Sequence, residues 1–555
     1  MQQKGMKIGA CLLGGALLFV GVGCGGGQGG STPVYPVEQD DELRTQLYVY
    51  NSAYTQDMEW LNALKTEFET LHAQDTCWED GKQGVQVVIH NVASDFENDA
   101  SRVLANREEV YFAFDADVRA LQKGGALADL TSLVTESETE TWSVKSKLTE
   151  SQQAYYSIEE DGQETYYALP DRFGSVGFVY NQTLFDEKGY YFSEDGTEEK
   201  PFVADMGGLR TLGADETRGT WDDGLPTTQD EFFALCRRIA QDGNVPVLWS
   251  ASEHDKYLTW LAASLAAAEN GYEQTMLNYT LQGTAKNLGS IKNGGFAADA
   301  QSTEITPENG YELARSAGNY YALAFLEELT DSKNGYCGAV NYSEEFTKSQ
   351  TALRKAFREG LDGGKQIGMI VDGTWFEGAG ETLAVERSME LQKKRFAWMP
   401  SPLVTKHDLT DGAVVDCLNS SAFIKANVEG WKMPLAQEFL RFAYTDDALR
   451  GYTELTGVQK AVNYGLDDSL SEFENSVRQA RRNTKHVYAY SMAETLLANE
   501  RFFSPNELWR AKFGGLAGFA TPVQYPSVAL IKDNTSVVDY FNGMYMYRKD
   551  NWPAK

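Results

Sequence analysis

The chain has 555 residues, of which 42% are hydrophobic, so it can bury several cores and is too long for one ordinary domain. Its formal net charge of −31 disfavours nucleic acid as a partner, because phosphate binding needs Lys and Arg concentrated on one face. The cysteines after Cys24 are far apart and never form a Cys-x-x-Cys pair, so the sequence indicates neither a disulfide framework nor a metal site, although one pair could be bridged outside the cell.

The N-terminus resembles a bacterial secretory signal. Lys4 and Lys7 precede an apolar run from Ile8 to Val22, and Cys24 follows it. Because this run is shorter than the roughly 20 apolar residues of a membrane-spanning helix, we interpret residues 1–23 as a signal peptide. Cys24 is then the predicted lipidation site, through which the chain would be held at the membrane. An ordinary signal peptide with an incidental cysteine is the alternative.

The segment after the signal has the composition of a tether. Residues 24–44 are first Gly-rich, then contain Pro33 and Pro36, and end in an acidic run. Such a stretch cannot bury apolar surface and behaves as a flexible linker. We therefore expect the folded part to begin near Thr45.

Strand and helix patterns alternate from that point. Residues 46–50 and 85–89 have strand character, and apolar side chains recur at helical spacing over 58–71 between them. Residues 110–114 predict a further strand, followed by a helix over 116–122. This order is typical of βαβ units around a mainly parallel sheet, which predicts the α/β class.

The rest of the chain continues the alternation. The patterns predict helices over 228–241, 257–268, 311–329 and 435–444, and strands over 245–249 and 367–371. Residues 187–224 are rich in Gly, Asp and Glu and predict a surface insertion.

Four collinear motifs resemble one protein family. Leu169-Pro170 leads through Gly-containing residues to Tyr180-Asn181 and Leu184-Phe185, and Gly124-Gly125 precedes Asp129-Leu130. The other two motifs are Thr227 to Phe233 with Gly243 to Pro246, and Phe357 with Gly364 to Trp375 and Met399 to Pro402. Over roughly residues 45–460 the chain thus resembles the extracellular solute-binding proteins of family 1, the maltose-binding-protein-like lipoproteins of ABC importers.

The resemblance implies a two-lobed, periplasmic-binding-protein-like fold of type II with a ligand cleft between the lobes. It implies that residues 45–170 with 403–460 form lobe 1, and that residues 171–402 with 461–555 form lobe 2. The segments expected to cross between the lobes are 168–172, 399–403 and 458–465. Such lobes close around a ligand that contacts both of them.

The family's function gives the expected role of this chain. It implies a lipid-anchored protein on the extracellular face of the bacterial cell membrane, which binds a carbohydrate, in particular an oligosaccharide, and delivers it to ABC permease subunits. We expect a monomer without a cofactor, and no enzyme, because the five histidines are isolated and no nucleophile elbow occurs. The alternatives are a surface-anchored glycoside-degrading enzyme and a binding protein for a non-sugar solute such as a peptide.

A sugar cleft needs aromatic faces for stacking together with carboxylates or amides for the hydroxyl groups. Residues of these types lie near the expected lobe edges and crossings, several at positions where the family meets its ligand. Our predicted ligand-binding residues are Tyr54, Asp115, Phe173, Tyr180, Trp249, Trp260, Asp372, Trp375 and Trp509.

Overall fold

The computed structural model of the protein describes fourteen ranges of the chain. They are residues 39–52, 55–92, 96–136, 143–160, 162–204, 207–250, 256–337, 350–378, 394–402, 412–465, 470–488, 505–513, 523–531 and 534–552. The predicted lipidation site Cys24, the tether up to residue 38 and the predicted ligand-binding residue Tyr54 lie outside these ranges.

The described strands are numbered in chain order. They are β1 Thr45–Ser52, β2 Val85–Val92, β3 Val110–Phe114, β4 Ser157–Glu160, β5 Gln163–Tyr166, β6 Leu169–Gly174, β7 Val176–Asn181, β8 Phe192–Thr197, β9 Lys200–Phe202, β10 Val245–Leu248, β11 Gly283–Ala285, β12 Gly289–Lys292, β13 Gly295–Ala298, β14 Thr303–Ile305, β15 Ile367–Gly373, β16 Phe396–Met399, β17 Ala413–Asp416, β18 Leu418–Ile424, β19 Lys485–Tyr488, β20 Ala511–Lys512 and β21 Val523–Gln524.

The described α-helices follow the same numbering. They are α1 Thr55–Leu71, α2 Ala100–Ala105, α3 Val118–Lys123, α4 Thr131–Thr135, α5 Glu150–Tyr156, α6 Gln182–Lys188, α7 Gln229–Gln241, α8 Tyr257–Thr280, α9 Ala317–Thr330, α10 Gln350–Glu359, α11 Met433–Ala443, α12 Asp446–Thr456, α13 Glu472–Asn483, α14 Pro505–Leu508, α15 Pro526–Ala529 and α16 Val537–Asn551. Short 3₁₀ helices cover Lys145–Lys147, Gly310–Arg315 and Asp362–Gly364.

The first sheet has five strands in the order β2-β1-β3-β18-β6. β1 pairs in parallel with β2 and β3, whereas β18 runs antiparallel to both β3 and β6. Its core contains Trp60 and Phe68 from α1, and Tyr111 of β3 stacks on Phe423 of β18 with ring centroids 4.9 Å apart. This sheet with its helices forms the first lobe.

The second sheet has four strands in the order β10-β15-β7-β16. Successive residues of β7 alternate between two cores, since Phe178 and Tyr180 belong to one cluster and Val179 to another. A strand alternates its side chains in this way when both faces of its sheet are covered. The second lobe is therefore a sheet between two layers, and α16 near the end of the chain supplies Tyr540 and Phe541 to the larger core.

Local signals in the sequence explain several element boundaries. Thr228 caps α7, and its side chain and that of Glu231 form a reciprocal capping box. Helix α6 ends at Gly189, whose φ of +64° is a left-handed conformation that glycine adopts without strain. The predicted insertion over 187–224 is more than a surface loop, because Tyr190, Tyr191 and Phe192 are buried in the core of the second lobe.

The chain passes between the cores of the two lobes at two adjacent points. Ser175 alone separates β6 of the first sheet from β7 of the second, so residues 169–172 of the predicted crossover 168–172 lie within β6 rather than at the crossing. On the return, Cys417 separates β17 from β18, and its backbone N–H donates to the carbonyl of Gly174 at 2.8 Å. The division of the whole chain between the lobes remains a prediction.

Two further features concern the apolar character of the helices and the state of the cysteines. Of the helices in the described ranges, none combines the length and the apolar character that crossing a bilayer requires. The described cysteines are all free thiols, of which Cys77 is exposed and Cys236, Cys337 and Cys417 are buried.

Candidate functional site

The site that we consider lies beside the crossover strands, where several strands end. Trp375 follows β15 by two residues, Trp249 follows β10 directly, and Asp115 follows β3. Loops at the carboxyl ends of strands in α/β sheets are the common location of ligand sites. Trp375 packs against residues of both lobes, so this site borders the space between them.

Trp375 lies against the backbone of the crossover strands. Its ring covers Gly174 at the end of β6 and Gly373 at the end of β15, and a Cβ atom at either glycine would collide with the ring. Glycine at these two positions therefore allows the indole to approach the main chain closely. The ring is partly buried, so one part is held by packing and another part faces solvent.

Three aromatic side chains form the aromatic cluster of Tyr257, Trp260 and Trp375. The ring centroid of Trp375 is 6.2 Å from that of Tyr257 and 6.3 Å from that of Trp260, and the two indole planes are 87° apart. Tyr257 and Trp260 lie 5.7 Å apart on the first turn of α8. All three rings are partly exposed, which is the condition for stacking on a sugar ring.

One polar atom of the aromatic cluster has no partner within the described part of the chain. The indole Nε1 of Trp260 is buried and makes no hydrogen bond there. Because a buried N–H group normally finds an acceptor, a ligand hydroxyl oxygen beside Trp260 would satisfy it. This observation favours a polar ligand next to the aromatic faces.

Asp372 is not a ligand-facing carboxylate, contrary to our prediction of direct contact. It is 0% exposed, and its two oxygens each lie 2.7 Å from a nitrogen of Arg354. Gln350 donates to the same carboxylate at 3.0 Å. The pair serves the site indirectly, because Arg354 also donates to the hydroxyl of Tyr257 at 2.9 Å.

This arrangement stabilises the charged form of Arg354. Burial lowers the pKa of Arg354, but the neighbouring Asp372 carboxylate raises it, and the net shift is upward. Arg354 and Gln350 both come from α10 and hold the end of β15 against α8. We did not predict Arg354, Gln350 or Tyr257 as site residues, because no local pattern in the sequence shows that residues about a hundred positions apart meet.

Asp115 is a predicted site residue on the first lobe, and it lies within the described ranges. Its φ of +53° lies in the left-handed region, which is uncommon for a residue other than glycine, although Asp tolerates it better than most. Its backbone carbonyl accepts a hydrogen bond from the side chain of Asn98 at 3.0 Å. The Asp115 side chain is partly exposed. Burial is the main cause that raises the pKa of Cys417 at the second crossing, and the charge of Asp115 adds to that increase.

Three predicted ligand-binding residues lie in the core of the second lobe. Tyr180 and Trp249 are 1% exposed and Trp509 is 3% exposed. Tyr180 packs on Phe185 with ring centroids 4.7 Å apart, and the backbone carbonyl of Trp509 accepts the hydroxyl of Tyr540 at 2.6 Å. Their burial leaves no face for a ligand in this arrangement, so the candidate site does not include them.

Phe173 is separated from the aromatic cluster by the strand that carries it. Consecutive residues of a strand point to opposite faces, and Gly174 faces Trp375. Phe173 therefore points away from Trp375, and its ring lies under the guanidinium of Arg481, 2.9 Å from the ring centroid. It borders a cavity on the other side of the crossover strands.

Within the described ranges, no group of three or more His, Cys, Asp or Glu side chains is placed to hold a metal ion. The chemistry that the site offers is thus stacking, through the aromatic cluster, and hydrogen bonding, through Trp260 and Asp115.

Comparison with solved structures identifies the fold. The chain matches the cyclic α-maltosyl-1,6-maltose binding protein from Arthrobacter globiformis with a TM-score of 0.51 and 14% identity, covering 91% of this chain and 98% of that one. A chitin oligosaccharide binding protein matches with a TM-score of 0.52, 14% identity, and the same two coverages. The GacH receptor of Streptomyces glaucescens GLA.O, solved unliganded and with acarbose, matches with a TM-score of 0.50 and 14% identity over 92% of this chain and 100% of that one.

These matches span nearly the whole of each chain, so the predicted two-lobed, periplasmic-binding-protein-like α/β fold is confirmed. No protein-family model and no curated protein matches the sequence.

Proposed function

We propose that this protein is a solute-binding protein of an ABC importer, that it binds an oligosaccharide between its two lobes, and that it performs no chemistry on the ligand. The observation that carries the proposal is the aromatic cluster of Tyr257, Trp260 and Trp375 beside the crossover strands. Three partly exposed rings at one lobe edge suit the C–H faces of successive sugar rings.

The names of the matched structures support a carbohydrate ligand. They are binding proteins for a maltosyl-maltose, a chitin oligosaccharide and acarbose. In our proposal the sugar stacks on Trp375, and a hydroxyl oxygen accepts a hydrogen bond from Nε1 of Trp260. Asp115 on the first lobe completes the site by accepting hydrogen bonds from sugar hydroxyls.

The proposed cellular context follows from the N-terminal sequence. The chain would be held on the outer face of the bacterial cell membrane through lipid on Cys24 and would deliver its sugar, as a monomer, to permease subunits. Stable attachment needs at least two acyl chains. Cys24→Ala should therefore release the protein from the membrane fraction or leave it unprocessed. A mass spectrum showing an unlipidated mature terminus well beyond residue 24 would contradict the anchor.

A thermal-shift screen tests the proposed function. Maltotriose, chitotriose, cellotriose and a neutral peptide are added separately to the purified chain, and a hit is verified by calorimetry. A ligand at about 100 times Kd should stabilise the fold by roughly 2.7 kcal/mol, if the unfolded chain does not bind it. If the peptide alone stabilises the protein, the ligand is a non-sugar solute and the proposed sugar ligand is wrong.

The same sugars distinguish a binding protein from a glycoside-degrading enzyme. Each is incubated with the protein, and its chain length is followed by chromatography. We expect every sugar to remain intact, including one that binds. Shortening of a bound sugar at a rate proportional to protein concentration would make the protein an enzyme.

A further inference from the structure

An arginine beside the first crossing lies on the same side of the sheet as Trp375. Arg172 and Gly174 both belong to β6, and residues two positions apart in a strand point to the same face. The ring of Trp375 covers Gly174. Two positions along a strand span about 6.6 Å, so the side chain of Arg172 leaves β6 close to the indole and on the side of the candidate site.

Strand pairing brings Arg172 to the carboxyl end of β3. Ser420 of β18 is paired with Arg172 on one side and with Phe114 of β3 on the other. Directly paired residues of neighbouring strands have side chains on the same face, so these three residues form a row across the first sheet. The Cζ atom of Arg172 lies 5.3 Å from the ring centroid of Phe114, which is a cation–π distance. The guanidinium therefore lies beside the last residue of β3, and Asp115 is the next residue of the chain.

The two ends of this row face solvent rather than a core. Arg172, Phe114 and Asp115 are each partly exposed, whereas Ser420 between the strands is 3% exposed. A guanidinium carries five N–H donors in one plane, so Arg172 can donate to a ligand while it keeps its contact with Phe114. Asp115 supplies acceptor oxygens at the same place. The first lobe thus offers donors and acceptors together at the edge that faces the aromatic cluster.

The charges of the site residues named here and above favour a ligand without charge. Arg354 is paired with Asp372 behind the aromatic cluster. The positive charge of Arg172 lies near Asp115, so the named ionised groups on each lobe cancel. The whole chain has a formal net charge of −31, which disfavours the approach of an anion.

We propose that Arg172 is a ligand-binding residue of the first lobe, and that together with Asp115 it selects a neutral oligosaccharide through two adjacent hydroxyl groups. The planar fork of the guanidinium can donate two parallel hydrogen bonds to neighbouring oxygens, and Asp115 accepts from a hydroxyl. Trp375 supplies the face on which the same sugar ring stacks. This role rests on the proposed function, because it requires a sugar between the lobes.

Arginine variants test the contact, with the sugar that the thermal-shift screen identifies as the ligand. Arg172→Gln should weaken binding about tenfold or more, because it removes charge-assisted hydrogen bonds. Arg172→Lys should recover part of the affinity, because an ammonium keeps the charge and lacks the fork. Arg450→Gln on α12 removes an arginine that pairs with Asp447 and should bind as the wild type does. Calorimetry measures each Kd, and urea denaturation without ligand verifies that each variant is folded.

Trigalacturonate, which carries a carboxylate on each ring, tests the charge of the ligand. We expect the neutral sugar to bind and trigalacturonate not to bind over the same concentrations, and added salt should leave the affinity for the neutral sugar nearly unchanged. Wild-type affinity in Arg172→Gln would overturn the role of Arg172 and leave sugar binding intact. Tighter binding of trigalacturonate than of the neutral sugar would overturn the neutral ligand. If no neutral sugar binds the wild-type protein, this inference is overturned together with the proposed function.

Discussion

The indole of Trp375 is fixed by packing and is also partly exposed. It is packed against Gly174 and Gly373 on one side, and it remains partly exposed on the other. Packing fixes the orientation of the indole before a ligand arrives, so little conformational entropy is lost on binding. This preorganisation is the reason that we place the sugar on Trp375 rather than on the fully buried Trp249 or Trp509.

Trp375→Ala should weaken oligosaccharide binding by about 2 kcal/mol or more, which is about thirtyfold in Kd. Calorimetry on folded protein measures it. Trp431→Ala is the matched control, since Trp431 is 41% exposed and away from the site. This variant should bind the oligosaccharide with the affinity of the wild type. Trp249→Ala should instead lower the stability of the unliganded protein by about 3 to 5 kcal/mol. Unchanged affinity in Trp375→Ala would remove this residue from the site.

Arg354 supports the aromatic cluster through an ion pair. Arg354→Gln leaves the carboxylate of Asp372 buried without its partner, which typically costs about 3 to 5 kcal/mol of unfolding free energy. Urea denaturation measures this loss. Arg395→Gln breaks an exposed pair with Asp186 and Glu472 and should cost less than about 1 kcal/mol. Equal losses in the two variants would mean that the buried pair has no special role.

The residues of the site illustrate what sequence patterns can and cannot give. Trp375 was predicted because it follows a strand in a recognisable motif, and Trp260 because it lies on the helix after a strand; their contact with a ligand stays a prediction. Trp249 satisfies the same rule but is buried, since both faces of β10 are covered by core residues. Asp372 has the expected chemistry, but Arg354 on α10 takes its oxygens, and that contact is invisible in a single sequence.

At the scale of elements, strand patterns and helix-capping residues in the sequence predicted the bounds of several elements correctly. β3 has the predicted bounds, and α7 begins at the residue after its capping threonine. Helix α8 is longer than predicted, because it continues past a kink at Gly271, whose φ is +75°. The return crossing at Cys417 was not predicted, since β17 and β18 are short and their pairing partners lie far away in the chain.

The segment predicted as a third crossing, residues 458–465, is fixed to the first lobe by a buried lysine. Lys460 pairs with Asp171 of β6, and its Nζ lies 4.0 Å from the ring centroid of Trp60 and 4.2 Å from that of Tyr452. The backbone N–H of Ala461 donates to the carbonyl of Asp171 at 3.1 Å. Two of the crossing segments are thereby joined to each other, so they should move as one unit.

Lys460→Met should lower the unfolding free energy by about 3 to 5 kcal/mol, because it leaves the buried carboxylate of Asp171 without its cation. Chemical denaturation gives the value, and Lys512→Met, which removes the exposed pair with Asp550, is the control. Hydrogen exchange at Ala461 should also become faster. A loss no greater than that of the control would show that the segment is held by its other contacts.

For the molecule as a whole, the fold could be predicted from collinear motifs, and the ligand could not. The motifs reflect backbone requirements such as glycine at Gly174 and Gly373, which many members of one fold share. The identity of a sugar depends instead on which side chains meet it in the folded protein, and a single sequence does not show those contacts. In our proposal the aromatic cluster binds a carbohydrate, whose length and linkage are to be measured.

Lobe closure follows from the position of the site. A ligand that contacts Trp375 on one lobe and Asp115 on the other stabilises the arrangement in which both contacts form. The crossing segments are the natural hinge, because Ser175 separates β6 of the first sheet from β7 of the second, and Cys417 joins β17 to β18 beside it. Binding should therefore bring the lobes together as a hinge motion.

Small-angle X-ray scattering of the protein with and without a saturating oligosaccharide tests the central claim most directly. The oligosaccharide is the one that the thermal-shift screen identifies, and calorimetry on the same sample verifies saturation. A sugar held between two hinged lobes predicts a smaller radius of gyration with ligand, and Trp375→Ala should need about thirty times more sugar to reach that smaller value. An unchanged scattering curve at verified saturation would contradict binding by closure of the cleft.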